Sequence, residues 1–256
     1  MKIATWNVNS IRSRLERLID WLARVKPDVV CLQELKVTDD AFPYDTIREA
    51  GYHAVVHGQK TYNGVAILSR EEPRDVARGL EDGVDDPQAR LIAARVNDVH
   101  VISVYFPNGQ SVGSDKWTYK LDWMRRLRRY LDRRFQPPDP VLLCGDINVA
   151  RDDLDVARPD QWAASVLCHP DARAALEHIR CWGLNDVFRD KHPEGGLYSW
   201  WDYRMLAFPR NDGLRIDHIF ATESVAARCG HTEIDRDERK GEKPSDHAPV
   251  IASFAP

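Results

Sequence analysis

Seven short apolar runs, separated by segments with helical patterns, constrain the fold of this chain more than any other feature. In chain order they read "KIATWNV", "DVVCLQE", "GVAILSR", "VHVISVYF", "PVLLCGDIN", "LRIDHIFA" and "APVIASF". Most are continuous and rich in Val and Ile, which is typical of strands covered on both faces. Between them, Ser10 can cap an amphipathic helix, and residues 171–182 repeat the helical spacing. The sequence therefore predicts an α/β fold, with layers of sheet and helix in a single domain over residues 1–256.

The composition is typical of soluble globular proteins, because 43% of the 256 residues are hydrophobic and 30% are charged. No apolar run reaches the roughly 18 residues of a transmembrane helix, and the N-terminus has no signal-peptide core. The five cysteines are scattered without a C-x-x-C pair, which favours reduced thiols. We therefore expect a cytoplasmic protein with no membrane partner.

One basic segment stands out against the net charge of −4, which by itself argues against a nucleic-acid partner. Residues 115–134 carry eight Lys and Arg against three Asp, a local charge of +5. Apolar residues recur there at spacings of three and four, which predicts an amphipathic helix. Its basic face is either a solvated surface or a contact for a phosphate backbone, and both interpretations stay open. The acidic segment at residues 79–88 is predicted to be an exposed loop.

Polar residues of catalytic type follow several of the apolar runs at the point where each run ends. They are Asn7, Asn9, Glu34, Tyr105, Asp146 and Asn148, joined by Asp217 within "LRID" and by Asp246 and His247 just before the last run. Taken singly, each has an ordinary explanation: Glu34 as a helix cap, for example, or Asp146 as a turn residue. Because a rigid sheet holds the side chains at its strand ends, a whole set of this kind favours one functional site.

The set is rich in oxygen donors, with one prominent histidine and no cysteine at a strand end. Such donors suit a hard divalent cation, Mg²⁺ or Mn²⁺, whereas zinc would need a His and Cys cluster that the sequence lacks. A cation of this kind neutralises charge on phosphoryl oxygens, which indicates hydrolysis of a phosphate ester. No nucleotide-binding glycine motif or nucleophile elbow is present.

Eight motifs, in order along nearly the whole chain, carry a resemblance to a known family. They are "WNVNSIR", "LQELK", "YNGVAI", "YFPNG", "GDINVA", "YSWWDYR", "GLRIDHI" and "KPSDHAP". The chain resembles the exonuclease III family of apurinic/apyrimidinic endonucleases, within the deoxyribonuclease-I-like superfamily of phosphodiesterases. The resemblance implies a four-layer sandwich of two packed mixed β-sheets flanked by helices. It also implies a monomer that uses Mg²⁺ or Mn²⁺ to cleave double-stranded DNA 5′ to abasic sites, at nicks or at blocked 3′ ends, leaving a 3′-OH.

Three sets of site residues follow from the resemblance. The implied metal ligands, with Glu34 as the principal one, are Asn7, Glu34, Asp146, Asn148, Asp246 and His247. The implied catalytic residues are Tyr105, Asp146, Asn148, Asp217 and His247. Among these, Asp146 activates or orients the attacking water, and Asp217 pairs with His247. The implied substrate contacts are Asn108, Trp200, Arg204, Leu214 and Ile216, of which Trp200, Leu214 and Ile216 wall a pocket for the abasic deoxyribose.

Two other functions stay open at this point. One is a nucleic-acid-binding regulator that keeps the fold without catalysis, and the other is a phosphoesterase that acts on a different substrate. The balance between abasic-site cleavage and 3′-end processing is open as well. Residues 165–173, "SVLCHPDAR", are expected to border the lesion pocket, where the bulk of Leu167 or His169 would exclude an internal lesion and admit a 3′ end.

Overall fold

Two six-stranded mixed β-sheets pack against each other in the computed structural model, which describes residues 1–255. Within those residues the strands are β1 (Lys2–Asn7), β2 (Val29–Gln33), β3 (His53–His57), β4 (Val65–Ser69), β5 (Arg74–Arg78), β6 (Leu91–Val96), β7 (Val99–Tyr105), β8 (Val141–Asp146), β9 (Leu184–Asp186), β10 (Asp217–Thr222), β11 (Cys229–Ile234) and β12 (Val250–Phe254). The strand order is β11-β12-β1-β2-β4-β3 in the first sheet and β5-β6-β7-β8-β10-β9 in the second. The β1–β2 and β7–β8 pairs are parallel, and the other neighbours are antiparallel.

The longer helices cover the outer faces of the two sheets. The helices are α1 (Ile11–Val25), α2 (Tyr44–Glu49), α3 (Asp115–Arg134), α4 (Pro159–Trp162), α5 (Pro170–Arg180), α6 (Val187–Lys191) and α7 (Glu223–Ala226). Trp21 of α1 packs with the first sheet, and Leu127 of α3 and Leu176 of α5 pack with the second. The predicted four-layer α/β sandwich is therefore confirmed. Across residues 1–255, no helical segment has the combination of length and apolar character that spanning a membrane requires.

The interior between the sheets explains the continuous apolar runs. Ile3 and Cys31 from the first sheet lie in one buried cluster with Val101, Leu142 and Ile219 from the second. The alternate side chains of the same strands pack under the helices, so that every residue of β2, β8 and β10 is buried. A strand buried on both faces shows no polar alternation. The seven runs accordingly correspond to β1, β2, β4, β7, β8, β10 and β12.

The acidic loop at residues 79–88 is anchored to α3, although several of its side chains are exposed as predicted. Arg126 donates from Nε to Asp82 at 2.7 Å and from Nη1 to Asp86 at 2.9 Å. These ion pairs are mostly shielded, since only 7% of the Arg126 side chain is exposed. Part of the predicted basic face of α3 is therefore used inside the molecule, where it is neither a solvated surface nor free to contact phosphate.

Candidate active site

The strand ends of both sheets meet at one rim of the sandwich. In the first sheet β1 ends at Asn7, and Glu34 follows the last residue of β2. In the second sheet, β7 and β8 end at Tyr105 and Asp146. Asp217 begins the neighbouring antiparallel strand β10, where its backbone pairs with Asp146. Because parallel neighbours end at the same edge of a sheet, the fold brings these polar side chains together.

A buried chain of three side chains runs through the centre of this rim. The Nδ1 atom of His247 lies 2.8 Å from Oδ2 of Asp217, and its Nε2 atom lies 3.7 Å from Oδ2 of Asp146. Ser199 donates its hydroxyl to the same Asp217 oxygen at 2.6 Å. Because the Nδ1 atom of His247 faces Asp217, the proton on its Nε2 atom is directed towards Asp146.

The charge state of these groups follows from burial and from their neighbours. Burial alone would lower the pKa of His247, but the charges of Asp217 and Asp146 and the hydrogen bond to Asp217 raise it to about 10. The imidazole is therefore a cation at neutral pH. Burial raises the pKa of Asp146, and the positive charge of His247 opposes that rise. Burial and the charges of Glu34 and Asp146 raise the pKa of Tyr105 well above its ordinary value, so its hydroxyl stays protonated.

A pair of carboxylates, Glu34 and Asp146, offers a place for a cation. One oxygen from each lies within 4.8 Å of the other and of a nitrogen of His247. The Nδ2 atom of Asn7 donates to Glu34 at 2.8 Å and to Asp146 at 2.9 Å, so both carboxylates face the same small space. The oxygen donors that face this space are the two carboxylates, while His247 keeps its Nδ1 atom on Asp217. This donor set fits a hard divalent cation.

Two of the predicted metal ligands direct their amide oxygens elsewhere. The Oδ1 atom of Asn7 accepts the backbone N–H of Asn9 at 3.0 Å. Asn148 uses both ends of its amide, because it accepts from Asn108 at 3.1 Å and donates to the backbone oxygen of Phe106 at 3.0 Å. Neither amide oxygen therefore points at the carboxylate pair.

Asp246, a further predicted ligand, lies outside the group formed by Glu34 and Asp146. Its carboxylate accepts from Nδ2 of Asn9 at 2.9 Å and from Nε1 of Trp200 at 3.0 Å. Each of its oxygens thus accepts one hydrogen bond within the protein and keeps a further lone pair. In this arrangement Asp246 holds the indole of Trp200 and the amide of Asn9 beside the carboxylate pair.

The predicted pocket wall divides into an exposed part and a buried part. Trp200 is half-buried, and its backbone pairs with that of Leu214. Leu214 is 0% exposed and Ile216 is 2% exposed, so the two offer almost no surface to a substrate. Arg204 is exposed, and its guanidinium forms hydrogen bonds of 3.0 and 2.9 Å with the carboxylate of Asp202.

Comparison with known proteins identifies the family. The sequence model of the endonuclease/exonuclease/phosphatase family matches residues 4–247, which is nearly the whole chain. The chain belongs to this family. Exodeoxyribonuclease III of Haemophilus influenzae is 38% identical to it over 266 residues, covering 99% of this chain and 100% of the relative.

Two solved structures of family members have nearly the same fold. An AP endonuclease from Archaeoglobus fulgidus superposes with a TM-score of 0.97 at 44% identity, with 100% of each chain covered. A 3′ phosphatase from Neisseria, solved with a product DNA hairpin, gives a TM-score of 0.96 at 43% identity, covering 100% of this chain and 99% of the other. The predicted resemblance to exonuclease III proteins is thus confirmed, and the similar scores do not separate the two activities.

Sequence reasoning missed a buried ion network that supports the site of this family member. Arg215, which is 0% exposed, donates from Nε to Asp155 at 2.7 Å and from Nη2 to Asp186 at 2.8 Å. The network holds the backbone that leads into Asp217. The signal in the sequence was an arginine between two apolar residues in "GLRID", because a buried arginine requires charged partners.

Proposed function

We propose that this protein is a DNA-repair phosphodiesterase. Its reaction is the hydrolysis of double-stranded DNA 5′ to abasic sites and at 3′ ends, as a 3′-5′ exonuclease and 3′-phosphatase, with Mg²⁺ or Mn²⁺ as cofactor. The observation that carries the proposal is the buried Asp217–His247–Asp146 chain beside Glu34. The relatives, an exodeoxyribonuclease III, an AP endonuclease and a 3′ phosphatase, support the same chemistry.

All of these activities leave a 3′-OH and therefore break the same bond, between phosphorus and O3′. A divalent cation held by Glu34 would neutralise charge on a phosphoryl oxygen. Asp146 orients the attacking water and accepts its proton, because burial raises the pKa of this carboxyl. The backbone N–H of Asn148 fixes the Oδ1 atom of Asp146 at 2.9 Å, which keeps the carboxylate in one orientation.

Protonated groups on the other side of the rim bind the phosphate. The imidazolium of His247 donates from Nε2 to a phosphoryl oxygen as charge develops there, and Asp217 holds the ring in place. The neutral hydroxyl of Tyr105 is a second donor. Asn108 and Asn148, joined by their side chains at 3.1 Å, contact the phosphate beside these donors.

The remaining substrate contacts lie beside the catalytic groups. We assign the half-exposed indole of Trp200 and the guanidinium of Arg204 to the sugar and phosphates of the damaged strand. Glu34 comes from the first sheet and Asp146 from the second. Because the site needs both sheets and no second chain, we propose that residues 1–256 act as one domain and as a monomer.

A direct test uses the purified protein and two labelled duplexes. One carries a nick that ends in a 3′-phosphate, and the other carries an internal abasic site. Cleavage that requires Mg²⁺ or Mn²⁺ and stops when EDTA is added supports the proposal. Binding of both duplexes without cleavage under either cation would contradict it and favour a non-catalytic regulator. Hydrolysis confined to a phosphoester outside DNA would favour a different phosphoesterase.

The choice between these two duplexes depends, we propose, on the lesion-side segment, which we define as residues 162–173. Leu167 is buried in the same apolar cluster as Leu214. Trp162 meets Trp200 edge-on, with ring centroids 5.9 Å apart. Trp162 narrows the space beside Trp200, and Leu167 belongs to the cluster against which Trp200 packs. This packing would disfavour an extruded internal abasic sugar and favour a 3′ end.

Replacing Leu167 by alanine is expected to raise the ratio of kcat/KM on the internal abasic duplex to that on the 3′-phosphate duplex by about tenfold. The reason is that the truncation opens space within the lesion-side part of the cluster against which Trp200 packs, without touching a catalytic group. Leu176→Ala, in α5 and in the same apolar cluster, is the matched control. His169→Ala is expected to leave the ratio unchanged, because His169 caps α5 and packs edge-on against Trp117, with the two ring centroids 5.1 Å apart. An unchanged ratio in Leu167→Ala would rule out this role.

A further inference from the structure

Lys120, in the second turn of α3, is a fully buried lysine whose charge has no carboxylate partner in the described part of the chain. Its side chain is 0% exposed. The ammonium donates to the backbone oxygens of Asn108 at 3.1 Å, Asn148 at 2.7 Å and Val166 at 2.7 Å. An ammonium group buried away from water and from any carboxylate is costly at this position. The three carbonyl acceptors offset that cost, and they use all three N–H donors of the ammonium.

The three acceptors belong to three separate segments that border the proposed site. Asn108 lies in the loop after β7, which we call the phosphate loop (residues 106–110). Asn148 lies in the turn after β8, which we call the catalytic turn (residues 147–150). Val166 lies in the lesion-side segment, one residue before Leu167. One side chain therefore joins the parts of the site that bind phosphate, orient water and border the lesion.

The packing around the aliphatic part of the Lys120 side chain also indicates that this residue joins the segments. Gly109 has a φ of 96°, which favours glycine, and a Cβ atom built there would lie 3.0 Å from Cδ of Lys120. The same Cβ would lie 3.5 Å from Cβ of Val166 and 3.3 Å from the ring of Trp117. The phosphate loop thus rests directly on the lysine and on the lesion-side segment, and an added methyl group would force Lys120 or Trp117 to shift.

We propose that Lys120 is a positioning residue that determines substrate choice by fixing the lesion-side segment relative to the phosphate loop and the catalytic turn. The inference rests on the proposed function, since it concerns the same site. Lys120 is buried and contacts no substrate, so it acts through the backbone of the three segments. Its loss would leave three carbonyls without this donor, two of them buried, and the segments would shift independently to regain hydrogen bonds.

The test compares Lys120→Met with Arg126→Met on the two duplexes. Both variants remove a buried positive charge from α3, but the partners of Arg126 are Asp82 and Asp86, away from the three segments. For Lys120→Met we expect kcat to fall by about tenfold or more on both duplexes, since misplacement of positioning groups by an ångström has effects of that size. We also expect the ratio of the two kcat/KM values to change by at least about threefold. Arg126→Met should leave the ratio unchanged at a temperature where it is folded.

A merely structural role would lower the melting temperature while reducing both activities in the same proportion, and that result would overturn the proposal. If Lys120→Met does not fold, Gly109→Ala provides a second test of the positioning role. It displaces the phosphate loop from Lys120 and should also change the ratio; an unchanged ratio with unchanged kcat would count against the proposal.

Amide hydrogen exchange separates a failure of this inference from a failure of the proposed function. In Lys120→Met, exchange is expected to rise together in residues 106–110, 147–150 and 162–173, and in Arg126→Met to rise around residues 82–86 instead. This readout needs no substrate, so it applies even if the wild-type protein cleaves neither duplex. Unchanged exchange in the three segments would refute the positioning role.

Discussion

Replacing Glu34 by glutamine is expected to lower kcat on the 3′-phosphate duplex by about 10³-fold or more. Glutamine keeps the size of the side chain and can still accept the hydrogen bond that Asn7 donates at 2.8 Å. It removes the negative charge that, together with Asp146, would hold the divalent cation. The substitution relieves the repulsion between Glu34 and Asp146 but also removes the ion pair of Glu34 with Lys36 at 3.0 Å, so we expect the melting temperature without metal to change little.

Initial rates across a Mg²⁺ titration, with binding of Mn²⁺ measured by calorimetry, check this expectation. Glu49→Gln is the matched control, because Glu49 is exposed at the end of α2. The control should bind Mn²⁺ and cleave DNA as the wild type does, whereas Glu34→Gln should do neither at the same cation concentration. A Glu34→Gln protein that binds Mn²⁺ normally and keeps more than about a tenth of the wild-type kcat would show that the cation is held elsewhere.

The central strands could be predicted from the sequence because the sandwich buries both of their faces. The strands that were not predicted include the sheet edges β3, β5, β9 and β11. Only one of the five residues of β5 is buried, so its sequence "RDVAR" has no apolar run. The interior strand β6 was missed although it is mostly buried, because Arg95 interrupts it. A strand that is buried on one face only, or that lies at a sheet edge, has too few consecutive apolar residues to be recognised from the sequence alone.

The clustering of these polar side chains could be predicted because strand ends collect at one rim, but the direction of each polar atom could not. Asn7 turns its amide nitrogen towards Glu34 and Asp146, since its oxygen accepts the N–H of Asn9. That choice depends on a hydrogen-bond network whose members lie far apart in the sequence. The same holds for α3, where the partner of Arg126 is a loop 40 residues earlier. Sequence spacing predicts the helix but not what its charges bind.

Replacing His247 by alanine is expected to cause the second large loss, a fall in kcat of about 10²- to 10³-fold. The substitution removes the cationic donor to the phosphate. It also leaves Asp217 and Asp146, both buried, without the positive charge between them. Breaking a buried charge pair in this way costs about 3–5 kcal/mol of stability, so the melting temperature should fall as well. Because stability and activity change together here, Asp217→Asn provides the sharper measurement.

Asp217→Asn is expected to move the alkaline limb of the kcat profile to lower pH. The charge of Asp217 is the largest of the contributions that raise the pKa of His247 to about 10. A raised folded pKa means that the imidazolium, and the stability it contributes, is fully present below the unfolded value of about 6.5 and is lost as pH rises through about 10. Without the Asp217 charge the ring loses its proton at lower pH, so activity should decline earlier on the alkaline side.

Wild-type protein, Asp217→Asn and the control Asp132→Asn would be compared at one fixed Mg²⁺ concentration from neutral to alkaline pH. Asp132 lies on the exposed face of α3 and should not alter the profile. The position of the limb distinguishes a change in the charge of His247 from a loss of folded protein, because unfolding lowers the amplitude at every pH. An Asp217→Asn profile that is lower in amplitude but unmoved along the pH axis would mean that His247 does not act as a cation. In that case the phosphate would have to be bound by neutral donors such as Tyr105, and the proposed division of roles between His247 and Asp146 would be wrong.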